Sequence, residues 1–168
     1  MREVKLTQGY TATISDKDYG RVSQSKWQAY VRRDKNKNIV NVYAGRQVYR
    51  SPGKTKTELL HRFILGIADP KVQVDHRDCV GLHCQRSNLR IATPLQNACN
   101  VGLRKDNSSG FKGVDWHKHE QLWRARINVG GKSISLGYFH TKEAAAKAYN
   151  AAAKKYHGRF AKLNKGAQ

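Results

Sequence analysis

Short apolar runs at a period near two fill the first third of the chain. The stretches YTATI (10–14), WQAYVR (27–32), IVNVYAG (39–45) and QVYRS (47–51) carry β-branched and aromatic residues in alternation, the pattern of half-buried strands. Turn chemistry separates them in DKNKN (34–38) and SPGK (51–54). After the first run, DKDYGRVSQSK has room for a short helix that Gly20 weakens. In TELLHRFILG (57–66) the period lengthens: apolar residues cluster on one helical face, Thr57 stands as a cap and Gly66 as a terminator. VQVDH (72–76) and NLRIAT (88–93) then read as two strands flanking the loop CVGLHCQRS. Pro94 opens the short helix PLQNACN, with Thr93 as its cap. So small a unit cannot bury much surface alone, and the preceding sheet and helix are expected to support it.

The pattern breaks at LRKDNSSG (103–110), which has the composition of a linker. Beyond it, FKGVDWHKH, LWRARINVG and KSISLGYF read as three strands, the last two joined by a Gly-Gly hairpin at 130–131. TKEAAAKAYNAAAKKYHG (141–158) is a helix capped by Thr141, dominated by Ala and ended at Gly158. Alternation in the second strand sets Trp123, Ala125 and Ile127 on one side and Arg124, Arg126 and Asn128 on the other. In the third, Ile134 and Leu136 stand apart from Ser133 and Ser135. Ala144, Ala145, Ala148 and Ala152 allow the helix to approach the apolar side closely, leaving the arginine side outward. The expected class is α+β. A β-rich region and a strand–loop–strand–helix module occupy 1–101, a linker 102–110, and a three-stranded antiparallel sheet packed on one helix 111–168.

Composition narrows the choice of partner. The 168 residues suffice for one domain or two small ones, since domains of about 100–150 residues are usual. Lys and Arg number 32 against 12 Asp and Glu, a formal charge of +20, and a polyanion, nucleic acid first, is the partner this implies. A membrane surface is disfavoured, because the basic residues are scattered through aromatic-containing segments instead of lining one amphipathic helix. MREVKLTQGY lacks the apolar core of a signal peptide, and no apolar run is long enough to cross a bilayer. Three cysteines, an odd count, speak against a disulfide framework. The expectation is a reducing, DNA-containing compartment, with duplex DNA as partner and neither membrane nor small-molecule substrate.

An exposed basic face on three strands suits the major groove, where arginine reads guanine and strands can enter. FKGVDWHKHEQLWRARI, SLGYFHTKEAAAKAYNAAAKKYHG and the closing FAKLN resemble the plant APETALA/ethylene-response-factor type of DNA-binding domain over nearly all of 111–164. The resemblance implies base and phosphate contacts from Lys112, Asp115, His117, Arg126, Asn128, Ser133 and Ser135. Arg124 is added because it shares their face. Asp115 stands where that family usually has Arg, and Ser135 where it has Trp, so the site preference of the plant proteins does not carry over.

The stretch VDHRDCVGLHCQRSNLRIATPLQN (74–97) holds a second chemistry. Phosphodiester hydrolysis needs a nucleophilic water, in-line geometry and neutralised charge on the leaving 3′ oxygen. A histidine of near-neutral pKa can take the water's proton, and a hard divalent cation on oxygen ligands can stabilise the departing oxygen. His76 suits the first role, and Asp75 with the side-chain carbonyl of Asn97 the second, provided the strand ends or bends at His76. LLHRFILG, VDHRD, SNLRIAT and QNACN resemble, in order and spacing, the HNH endonucleases of the ββα-metal fold, closest to phage homing enzymes whose third motif residue is Asn. The likeness covers about 59–100. It implies that Asp75 and Asn97 hold one divalent cation, Mg²⁺ or Mn²⁺, that His76 is the general base, and that Asn88 orients its ring. The products implied are a 5′-phosphate and a 3′-hydroxyl, from nicking by a monomer or double-strand cleavage by a DNA-induced dimer. The same likeness favours a phage or prophage protein in the cytoplasm of a bacterial host.

The loop departs from that family in carrying Cys79, His83 and Cys84, which with Cys99 make four soft ligands for a structural zinc. No Cys-x-x-Cys pair is present and adjacent His83 and Cys84 fit a closed tetrahedron poorly, so buried small thiols and an exposed loop histidine are the preferred reading. His61 is expected to pack or face phosphate, His117 and His119 to lie on the basic sheet, His157 to sit at a helix C-terminus, and Trp27 to lie in a core. Two rivals stand beside the endonuclease. One is a non-catalytic DNA-binding protein or regulator with a decayed nuclease module; the other, a structured-RNA-binding protein, rests on charge alone.

Overall fold

In the computed structural model, which describes residues 1–167, the chain divides into two units, Met1–Thr93 and Pro94–Gln168. In the first, β1 (Arg2–Lys5) and β2 (Thr11–Ile14) form an antiparallel pair followed by α1 (Asp16–Val22). Next, β3 (Gln28–Arg33), β4 (Ile39–Ser51) and β5 (Lys54–Leu59) make an antiparallel sheet in that order. α2 (Leu60–Leu65) then leads to the pair β6 (Gln73–His76) and β7 (Leu89–Ala92). Ile14, Val22, Trp27, Leu60, Ile64, Cys84 and Leu89 share one core, and burial of each large apolar side chain contributes about 1.5–3 kcal/mol. The Trp27 indole N–H donates to the Val22 carbonyl at 2.9 Å, which satisfies its polar edge inside that core.

Three elements differ from the sequence reading. Residues 57–59 are strand, not helix: Leu59 pairs with Gly45, Glu58 with Arg46 and Thr57 with Gln47. A ladder satisfies backbone groups that a first helical turn leaves open, and it outweighs the helical spacing here. The helix therefore begins at Leu60 without a side-chain cap. Thr57 Oγ1 accepts from Gln47 instead. Gly66 does end the helix, at φ 70°, with its N–H bonded to the Arg62 and Phe63 carbonyls. β4 runs unbroken through two segments expected as separate strands, and β1 is a strand the pattern did not mark.

The second unit holds α3 (Pro94–Cys99), β8 (Val114–His117), β9 (Leu122–Val129), β10 (Lys132–Phe139) and α4 (Lys142–His157). The three strands form an antiparallel sheet in the order β10-β9-β8. Val114 and Ala125 pack with Ala145 and Ala146, and Ile127 with Tyr149, Ala152 and Ala153, so small helix residues let α4 come close to the sheet. Ala144, expected on that packed face, is exposed. Its N–H is instead the donor to the Thr141 cap, at 3.2 Å. Gly130 and Gly131 turn the hairpin at φ 60° and 84°, values that glycine adopts at no steric cost. The division at Thr93 falls ahead of the 102–110 segment. Lys112 Nζ donates to the carbonyls of Cys99 at 2.7 Å and Val101 at 2.6 Å, which binds the end of α3 into the second unit. No helix among the described residues is long and apolar enough to cross a membrane.

Candidate functional site

Register across the second unit's sheet sets its outer face. Asp115, Arg124 and Tyr138 form one row across the three strands, Arg126 and Ser135 the next, and Asn128 and Ser133 a third. Ala125 and Ile127, between them along β9, are buried on the α4 side. Asp115 lies among the arginines and binds both: Oδ2 accepts from Arg124 Nη2 at 2.8 Å and Oδ1 from Arg126 Nε at 2.9 Å. The bond to Asp115 pushes the Arg124 pKa further up, so this guanidinium stays charged. His117 packs its ring on Tyr138 at 5.0 Å, and His157 Nε2 lies 2.9 Å from the Asn128 carbonyl. His119 sits beyond β8 in the turn to β9, beside Glu120. The Lys112 ammonium donates to the carbonyls of Cys99 and Val101.

Tyr138 is a face residue the sequence reading missed. A bulge between Ser135 and Gly137 shifts the register, so Tyr138 comes opposite Arg124 while Phe139 packs into the core. A glycine inside a strand pattern, here Gly137, was the available signal.

In the first unit, Asp75 and His76 end β6, with only 5% and 6% of their surfaces exposed. Asp75 stands opposite Arg90 of β7, and its Oδ2 accepts from Arg90 Nε at 2.7 Å. The His76 ring lies 5.0 Å from His61 and 6.1 Å from Tyr43. Its Nε2 is 3.8 Å from Cys84 Sγ, while the Cys84 thiol donates to the Gly81 carbonyl at 3.6 Å. Burial lowers the His76 pKa against the opposing charges of Asp78 and Asp75. His61 is driven to about 3, by burial first and then by His76 and Arg62. His61 Nδ1 is buried with no hydrogen-bond partner among the described residues.

Side chains from several elements fix this buried cluster. Arg62 of α2 donates to the Val72 carbonyl at 2.6 Å and holds the approach to β6. The buried Asp18 carboxylate binds Arg21 at 2.8 Å and Arg86 at 2.9 Å, and both arginines also donate to the Ile64 carbonyl at the end of α2. Burial would raise the Asp18 pKa, but the bonds from Arg86 and Arg21 prevail and hold it below the usual carboxylate range. β2 grips the loop through Thr13, whose carbonyl accepts from Cys84 N–H at 2.8 Å. Gly81 passes so near β4 that a Cβ there would meet the Val42 carbonyl at 2.5 Å.

Asn88 was expected to orient the His76 ring. Its Nδ2 donates to Asp78 Oδ1 at 2.9 Å and to the His83 carbonyl at 2.8 Å, which shapes the loop after His76. Asp78 N–H returns a bond to Asn88 Oδ1 at 3.2 Å, which engages both ends of the amide. Asn97 lies on α3, in the second unit. Of the soft ligands, Cys79 is exposed, and His83 Nδ1 lies 2.6 Å from Asp78 Oδ2. The Cys84 thiol is pushed up to about 12 by burial, and Cys99 donates within α3 to the Leu95 carbonyl. Among the described residues no three His, Cys, Asp or Glu side chains are grouped to hold a metal. Asp75 is already balanced by Arg90.

Residues 109–159 match the AP2 domain. Over 90 residues the chain is 34% identical to protein 3.8 of Escherichia phage T7, an alignment spanning 54% of the chain and 74% of that protein. The chain belongs to the family of that phage protein. This member of the protein 3.8 family is also 38% identical over 111 residues to a protein of Acanthamoeba polyphaga mimivirus named an uncharacterized HNH endonuclease. That match covers 63% of the chain and 57% of the viral protein. An AP2-like ethylene-responsive transcription factor of Arabidopsis thaliana is 38% identical over 60 residues, 36% of the chain and 12% of the plant protein. The chain thus spans less than two thirds of the mimivirus and plant relatives. No solved structure matches it. The likeness to the APETALA/ethylene-response-factor domain is shown, and an AP2 domain implies DNA binding.

Proposed function

We propose that the protein is a sequence-specific DNA-binding protein that engages duplex DNA through the AP2-domain face carrying Arg124, Arg126, Asn128, Ser133 and Ser135. The observation that carries this reading is the register, which gathers these donors in adjacent rows on the side of the sheet away from α4. Arginine fits guanine edges and phosphates, and Asn and Ser serve either bases or backbone. The formal charge of +20 supplies long-range attraction. The test is fluorescence anisotropy with a labelled duplex over a KCl series, competed by unlabelled duplex and by hairpin RNA. Duplex is expected to compete better, and Arg126→Ala to weaken binding and lower the salt slope by about one. Equal competition by the RNA, with an unchanged slope in the variant, contradicts the reading.

A metal-dependent endonuclease is the second reading. The mimivirus relative's name favours it, and so does the buried cluster of His76 with His61 and Cys84. A base must be neutral to accept a proton, and burial keeps the His76 ring neutral near pH 7. The ligand roles of Asp75 and Asn97 and the need for Mg²⁺ or Mn²⁺ stay with this reading as its testable part. Supercoiled plasmid incubated with either ion is expected to be nicked by the wild type and left intact by His76→Ala, while DNA binding persists. A wild type inert with every divalent ion removes this reading and leaves the first standing.

A further inference from the structure

The outer face of the AP2-domain sheet is not simply cationic. Asp115 on β8 stands directly across from Arg124 on β9, and each of its carboxylate oxygens holds a different guanidinium. All three side chains remain partly in solvent, at 33% for Asp115, 26% for Arg124 and 50% for Arg126. Two consequences follow from charge and geometry. The anion offsets one of two cations at the place where a phosphate would approach. The guanidiniums are also held in place before any DNA arrives, Arg126 through Nε, which leaves its terminal amino groups for a pair of acceptors such as guanine O6 and N7.

A phosphate is a poor occupant of this cluster, because the carboxylate repels it and it has no hydrogen to donate. A base-pair edge carries both signs. Guanine offers acceptors to the arginines, and the cytosine N4 amino group can donate to Asp115. We infer that Asp115 is a selectivity residue, which suppresses phosphate-driven binding to arbitrary DNA and presets Arg124 and Arg126 for a G·C edge. The inference rests on the DNA-binding reading above.

Asp115→Asn keeps the shape of the side chain and removes its charge. Full-length wild type and variant are titrated, over a KCl series, with a random-sequence duplex pool and with the duplexes that the wild type recovers from that pool. The variant is expected to bind the random pool about threefold more tightly near 0.1 M salt, with a slope steeper by roughly one, as one further phosphate contact would give. Its preference for recovered over random duplexes falls below that of the wild type. Asp115→Ser, a smaller neutral side chain, moves the same way if charge is the cause. Random-pool binding that is unchanged or weaker in Asp115→Asn overturns the inference, as do opposite shifts in the two variants. A wild type that binds no duplex removes the DNA-binding reading and this inference with it. A wild type that binds, with a variant indistinguishable from it, removes the inference alone.

Discussion

Among single residues, the buried histidine of α2 has the clearest measurable consequence. His61 falls from an ordinary value of 6.5 to about 3 in the folded protein, chiefly through burial. Below pH 6.5 the unfolded chain takes up a proton that the folded one refuses, so stability is full above that pH and is lost as pH falls toward 3. The expected loss is about 1.4 kcal/mol per pH unit in that window. Urea melts at a series of pH values check it: His61→Gln should flatten the slope by about one proton, and an identical slope in the variant counts against a neutral buried His61. Residue chemistry was legible in the sequence only in part. Asp75 and His76 stand out as a pair, yet their partners Arg90 and Cys84 do not, since those pairings depend on strand register and loop path. The Asp115 pairs were hidden for the same reason, although alternation had placed Arg124 and Arg126 correctly on the outer face.

At the scale of elements, local signals succeeded where local energetics dominate. The Thr141 cap, the Gly130–Gly131 turn and the alternation of β9 are each set within a few residues, and each is present. They failed where a distant strand decides, as at 57–59, which β4 draws into the sheet. The bulge in β10 also depends on partners, and it moved Tyr138 to the arginine face. Gly113 offers a test of how tightly the AP2-domain sheet meets α4. Its φ is 74°, and a Cβ there would lie 2.2 Å from Tyr149 Cδ2 and 2.6 Å from the Arg126 carbonyl. Gly113→Ala is expected to cost about 2 kcal/mol or more through combined strain and overpacking, seen as a lower melting temperature. A melting curve equal to the wild type's refutes that packing.

On the scale of the whole molecule, composition indicated the partner before any element was known, because a charge of +20 calls for a polyanion whatever the fold. Composition does not say which surface meets that partner; the AP2 domain at 109–159 is the part of the chain whose match implies DNA binding. The most direct test is a ¹H–¹⁵N NMR titration of the full chain with duplex DNA, following backbone amides and arginine side-chain signals together. Shifts concentrated on β8, β9 and β10, with the Arg124 and Arg126 Nε signals among the largest, are the predicted result. Saturable binding that leaves those strands unshifted would contradict the claim that this face holds the duplex.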